Sequence, residues 1–165
     1  MKVIFLDFNG ILDTYDNFDV VDEDNLNRLM RIVDETDAKI VISSSCKNNY
    51  YRNGRIAGIL KYLLDTLLEC GIDVIGLLPM GESREQEIEM YLLEHPEVTD
   101  FVILDDDYEM PIFKDNLIKL PCQNIGPEQR GLEDKHVEKA IEILGKNNCE
   151  KKCEFMGLRL VPKEK

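Results

Sequence analysis

The chain has 165 residues, with 20 Lys and Arg against 33 Asp and Glu, for a net charge of −13 at neutral pH. Hydrophobic residues make up 44% and charged residues 32%, which excludes an apolar-poor disordered chain and fits one domain burying roughly 70% of its extended surface. The acidic balance counts against a free-standing nucleic-acid binder, which needs clustered Lys and Arg, but leaves room for a small basic pocket. In chain order, residues 3–6 are a short apolar run closed by Asp7 and the turn-like Asn9-Gly10, a buried strand. Over 22–33, Leu26, Leu29, Met30 and Val33 recur at helical spacing behind first-turn acids. Residues 39–42 form a second strand, stopped by Ser43-Ser44-Ser45. Residues 56–70 are helical with Gly71 as the stop, and 72–75 are a third strand. Residues 84–94 are a helix ended by His95-Pro96. A fourth strand, 101–104, runs into Asp105-Asp106-Asp107; 117–120 is a fifth, and 132–144 the last helix.

Strands without period-two alternation, separated by helices, predict an α/β fold: a Rossmann-like parallel sheet with helices on both faces. No repeat or long linker divides the chain, so 1–165 is expected to be one domain, with a core of about 1–144 and a charged tail at 146–165. Within that tail, 155–161 is a candidate added strand. No stretch approaches the ~20 apolar residues of a membrane span. The N-terminus reaches Asp7 too soon for a signal peptide, so a cytoplasmic protein is expected. The five cysteines, Cys46, Cys70, Cys122, Cys149 and Cys153, are too scattered for a disulfide framework and read as reduced thiols. A zinc site would need ligands beyond Cys149 and Cys153, and the only histidines, His95 and His136, lie among charged residues. Met80, Met90 and Met110 read as core filler.

In such sheets, ligands sit at the carboxyl ends of the strands, where strand order reverses. Asp7, Ser43-Ser44 and Asp105-Asp106 should therefore meet at one edge. Three carboxylates there repel one another unless a hard cation compensates, and Mg²⁺ takes such oxygen ligands together with substrate phosphate. The competing reading is a set of solvated loop acids, but acids and serines placed directly after apolar strands favour a site. Asp7 could then attack phosphorus, a serine hold a phosphoryl oxygen, and Arg84, at the start of its helix, neutralise the transferring group.

These residues resemble the haloacid-dehalogenase (HAD) superfamily. Phe5-Leu6-Asp7-Phe8-Asn9-Gly10-Ile11-Leu12 is similar to its first motif, Val41-Ile42-Ser43-Ser44-Ser45 to its second, Arg84 to its third, and Val102-Ile103-Leu104-Asp105-Asp106 to its fourth. Ser43-Ser44-Ser45 after the second strand, Arg84 with Glu87-Ile88, Leu104-Asp105-Asp106-Asp107 and a late Gly131-Leu132 look most like the small HAD domains of RNA-repair-associated (Swiss Army Knife) proteins. The resemblance implies a Mg²⁺-dependent phosphatase with Asp7 as nucleophile and metal ligand, Asp105 as a second ligand, and Asp106 as a direct or water-mediated one. It further implies that Ser43, with Ser44 as fallback, binds the phosphoryl group, and that Arg84 stabilises it, with Lys47 the rival cation.

Two departures from the family matter. Position 9 is Asn where family phosphatases use an Asp to protonate the leaving group and activate water. An amide cannot exchange a proton at neutral pH, a change expected to cost ~10²–10⁴ in rate. Its backbone carbonyl remains available as a metal ligand. Asn9 is thus an inactivating substitution, a natural feature of a weak phosphatase or binding domain, or a residue whose role passes to Asp13 or Asp16; the Asn9-Gly10 pair is also prone to deamidation. Second, 13–21 and 76–83 are too short to hold a cap domain, so a phosphorylated substrate protruding from something large is expected. Tyr15, Phe18, Tyr50 and Tyr51 are candidate rim contacts. Residues 47–55 are the one locally basic, aromatic stretch that a nucleic-acid end could touch, although net charge disfavours it. The alternatives are a non-catalytic phosphate- or metal-binding module and, less favoured, a metal-dependent nuclease; an oligomer is compatible with the open edge.

Overall fold

A computed structural model describes residues 1–122 and 126–145; Cys149, Cys153 and the candidate strand at 155–161 lie outside the described residues. Five parallel strands, β1 (Lys2–Leu6), β2 (Lys39–Ile42), β3 (Val74–Leu77), β4 (Asp100–Asp105) and β5 (Leu117–Lys119), form one sheet in the order β3-β2-β1-β4-β5. Among the described residues, five α-helices accompany them: α1 (Glu23–Thr36), α2 (Asn48–Asn53), α3 (Gly58–Glu69), α4 (Arg84–Glu94) and α5 (Asp134–Leu144). Alternate residues of β1 face opposite layers. Ile4 and Leu6 pack with Leu29 and Ile32 of α1, Leu60 and Leu63 of α3, and Val137 and Ile141 of α5. Val3 and Phe5 pack on the other side with Ile88 and Tyr91 of α4 and with Met110. The predicted parallel α/β sheet with helices on both faces is therefore correct.

Local chemistry sets most of the boundaries. Asp22 caps α1 by accepting from the Asn25 N–H at 3.0 Å, ahead of the first-turn acids Glu23 and Asp24. Ser83 caps α4 in the same way through the Gln86 N–H at 3.2 Å.

Three expectations need correction. The third strand is Val74–Leu77, not 72–75, because the Ile72 N–H closes the end of α3 on the Leu67 carbonyl at 3.0 Å and Ile72 packs in the core. The helix predicted over 56–70 begins only at Gly58, after an extended Ala57, while α2 forms separately and stops at Gly54. Met80 is 42% exposed rather than core filler, whereas Met110 is buried as expected.

Candidate functional site

The sheet order reverses between β1 and β4, and the functional residues collect at that crevice. The ladder runs on by one residue past the strand ends: the Asp7 N–H donates to the Leu104 carbonyl at 3.1 Å, and the Ser43 N–H to the Leu6 carbonyl at 2.9 Å. Ordinary strand pairing thus brings Asp7, Ser43 and Asp105 to one level. Asp7, Asp105 and Asp106 are each buried and each offers an oxygen within 4.8 Å of the others. Asp7 Oδ1 accepts from the Phe8 N–H at 2.8 Å. Asp105 Oδ1 accepts from the N–H groups of Asp107 and Tyr108, at 2.9 and 3.2 Å. Gly10 has φ +80°, and a Cβ there would lie 2.1 Å from Asp106 Oδ2, so only glycine lets this carboxylate approach the first loop.

Arg84 is 6% exposed although it opens a helix. Its guanidinium lies 3.4 Å from Asp105 Oδ2, 3.5 Å from Glu87 Oε2 and 5.1 Å from the Tyr108 ring centroid. Glu87 is shared: the same Oε2 meets Lys47 Nζ at 2.9 Å, while Oε1 accepts from the Gly81 N–H at 3.2 Å. Burial, then the Asp105 charge, push the Asp7 carboxyl up to about 7, against the pull of Arg84. Burial likewise raises Asp105, again opposed by Arg84. For Lys47, burial lowers the ammonium and the Glu87 hydrogen bond offsets it. Three carboxylates facing one guanidinium remain short of positive charge, and their hard oxygen donors suit a cation such as Mg²⁺. The crevice opens into a cavity of about 130 Å³, the size of a small anion, lined by Asp7, Asn9, Ser45, Arg84, Asp106, Asp107, Tyr108 and Cys122.

The family described as the HAD domain in Swiss Army Knife RNA repair proteins matches residues 3–137. The chain belongs to this family. No curated protein and no solved structure matches it. HAD domains generally use Mg²⁺, and the donor set of Asp7, Asp105 and Asp106 fits that ion.

Among the other residues singled out in sequence, this HAD domain brings some to the crevice and withdraws others. Ser43, the expected phosphate binder, is fully buried and does not line the cavity, and its Oγ has no hydrogen-bond partner among the described residues. Ser44 turns its Oγ to the Cys46 N–H at 3.4 Å, so Ser45, rather than Ser44, reaches the cavity wall. Lys47 is 1% exposed, pairs with Glu87 and does not line the cavity. Asn9 does line it, and its amide is fully engaged: Nδ2 donates to Asp13 Oδ2 at 2.8 Å and to Asp19 Oδ1 at 2.7 Å. Asp13 is buried and also accepts from the N–H groups of Gly10 and Asp19, at 2.7 and 3.0 Å. Asp16 is exposed and off the cavity, so neither aspartate is placed to replace an acid at position 9. Tyr15, Phe18 and Tyr51 are exposed as rim residues would be, whereas Tyr50 packs against the core. Cys46, Cys70 and Cys122 are free thiols, as expected.

Sequence reasoning noted Glu87 beside Arg84 without giving it a role, and missed Gln129. Glu87 had a readable signal: Arg84 and Glu87 extend the inward Ile88–Tyr91 stripe at helical spacing, and a charged pair in an apolar stripe needs buried partners. Gln129 is buried and donates through Nε2 to the Gly10 carbonyl at 2.7 Å, clamping the first loop from 119 residues away. No local pattern marks such a contact.

Proposed function

We propose that this HAD domain is a Mg²⁺-dependent phosphohydrolase acting through an aspartyl-phosphate on Asp7. The supporting observation is the buried trio Asp7, Asp105 and Asp106 beside Arg84, opening on a cavity sized for one phosphoryl group. Asp7, Asp105, Asp106 and the Asn9 carbonyl would hold Mg²⁺, which supplies the positive charge that keeps the carboxylates ionised and draws electron density from the phosphoryl oxygens. Asp7 Oδ1 is fixed by the Phe8 N–H, which orients the carboxylate for attack on phosphorus. Arg84, on the cavity wall, takes up charge on the phosphoryl oxygens. Water then releases phosphate from Asp7. The connections from β1 to α1 and from β3 to α4 are short, so the reacting phosphate is presented by a large molecule. The family's link to RNA repair makes a polynucleotide end the substrate carrier we favour.

A second reading, a phosphate- and metal-binding module without turnover, is favoured by one observation: both N–H groups of the Asn9 amide are committed to Asp13 and Asp19. Phosphate release from a panel of phosphate esters and oligonucleotides, with Mg²⁺ and with chelator, separates the two. The phosphohydrolase reading expects Mg²⁺-dependent release that Asp7→Asn abolishes. Phosphate binding without release from any substrate would establish the binding module instead.

A further inference from the structure

Departure of a leaving group depends on the proton donors around the cavity. Of the carboxylates on its wall, Asp7 is the nucleophile of the proposed reaction, Asp106 belongs to the cation trio, and Asp107 is solvent-exposed. The Asn9 amide spends both protons on Asp13 and Asp19, and those two aspartates do not reach the cavity. No histidine lines it. Among the described residues the wall thus holds no spare buried acid to protonate an alkoxide, only the exposed Asp107 and Tyr108 and the half-buried Cys122.

A second observation concerns where the departing group goes. A neighbouring cavity of about 480 Å³ shares Asp106, Asp107 and Cys122 with the first and is lined as well by Lys119, Lys135 and His136. His136 Nδ1 accepts from the Glu133 N–H at 3.0 Å, so the ring proton of the neutral imidazole sits on Nε2, which has no hydrogen-bond partner among the described residues. Lys119 pairs with Glu109, and Lys135 with Glu133 at 3.4 Å. Both pairs are solvent-exposed, with side-chain exposures of 36% and 76%, and 71% and 45%. Exposed pairs of this kind are weak, so either ammonium can turn to an incoming anion.

We infer that the preferred substrate is a phosphoanhydride, whose leaving group departs as a phosphate anion into this neighbouring cavity and needs no proton. This rests on the phosphohydrolase reading. In the first step an Asp7 carboxylate oxygen bonds to phosphorus while the bond from phosphorus to the bridging oxygen breaks. The bridging oxygen keeps the electron pair and leaves as phosphate. In the second step water oxygen bonds to phosphorus, the Asp7–phosphorus bond breaks with its electrons returning to the carboxylate, and the surplus water proton passes to solvent. An alkyl monoester must instead expel a far more basic alkoxide, and bears the ~10²–10⁴-fold penalty of a missing general acid.

The test is single-turnover transfer to the full chain with Mg²⁺, reading both leaving-group release and phosphoryl on Asp7. The probes are ADP, an oligonucleotide 5′-diphosphate, nitrophenyl phosphate, phenyl phosphate, glycerol phosphate and an oligonucleotide 5′-monophosphate. The expected result is fast transfer from the anhydrides and nitrophenyl phosphate, slower from phenyl phosphate, and ~10²–10⁴-fold slower from the two alkyl monoesters. Lys119→Ala/Lys135→Ala should narrow the preference for anhydride over nitrophenyl phosphate several-fold. The two anhydrides tell a free nucleotide from a polynucleotide end. Equal rates for alkyl monoesters and anhydrides would overturn the inference while leaving the phosphohydrolase reading intact. Asp107→Asn, Tyr108→Phe or Cys122→Ser would then identify the proton donor, by slowing the alkyl esters alone. Transfer from none of the probes would overturn both.

Discussion

Glu87 shows how a single side chain organises the crevice. It is the shared anion between Lys47 and Arg84, all three nine-tenths or more buried, and Gly81 is tied to it as well. Glu87→Ala leaves two buried cations facing each other and should cost about 3–5 kcal/mol in chemical denaturation. Turnover should fall too, since Arg84 loses one of its two anchoring carboxylates. Asn9→Asp makes the opposite change by setting a carboxylate against Asp13 and Asp19 in place of an amide that donates to both. We expect a stability loss of about 1–3 kcal/mol by denaturant titration, with better turnover of alkyl phosphates, because the crowded new acid would retain its proton. An unchanged midpoint would show that the amide is not structurally required. The Asp7 titration adds a pH dependence. Its folded carboxyl is raised from 3.8 to about 7, so the folded state holds a proton that the unfolded chain releases. Without metal, stability is therefore greatest below about pH 4 as far as this group is concerned, and falls as pH rises to 7. Mg²⁺ competes with that proton, so the thermal shift it produces should grow over the same window and level off above it. A Mg²⁺ shift that shrinks as pH rises would place the ion elsewhere.

Among the elements, the loop after β1 is the most heavily clamped. Asn25 Nδ2 reaches the Arg130 carbonyl at 2.9 Å, the Leu132 N–H donates to the Ile11 carbonyl at 2.9 Å, and Gln129 holds the Gly10 carbonyl. Gly131, at φ +73°, fits between them, and a Cβ there would stand 2.3 Å from Asn25 Nδ2 and 2.6 Å from the Ile11 carbonyl oxygen. Gly131→Ala should cost more than about 1 kcal/mol, and hydrogen exchange should quicken at Gly10 and Leu132 rather than in β5. The sheet itself was legible in the sequence, because apolar runs as short as Val3–Leu6 and Val102–Leu104, closed by acids and turn residues and separated by helical stretches, read as doubly covered strands. Their closing residues, Asp7 and Asp105, carried the site with them. The errors arose where two local signals overlapped. Ile72 is as apolar as a strand residue but is used to close α3, and residues 48–53 form a helix too short to show a periodicity. Gly131-Leu132 stood out in the sequence, but the contacts that residues 129–132 make with the first loop did not, because they are long-range pairings with no local pattern.

At the scale of the whole molecule, a −13 chain concentrates part of its acid at one crevice and stabilises it with two buried cations, Arg84 and Lys47. Bulk charge therefore says little about what the crevice attracts once a cation is bound, and an anionic substrate is compatible with an acidic protein. Among the described residues, no helix is long and apolar enough to cross a membrane. The single three-carboxylate group found there gives no support to a two-metal nuclease. The reaction proposed for the crevice requires that Asp7 become phosphorylated. The most direct test is peptide mass analysis after acid quench of the protein mixed with nitrophenyl phosphate and Mg²⁺. A phosphoryl group on the peptide containing Asp7, absent with chelator and in Asp7→Asn, is the predicted result. Phosphate release with that peptide unmodified at every quench time, or release that persists in Asp7→Asn, would contradict it.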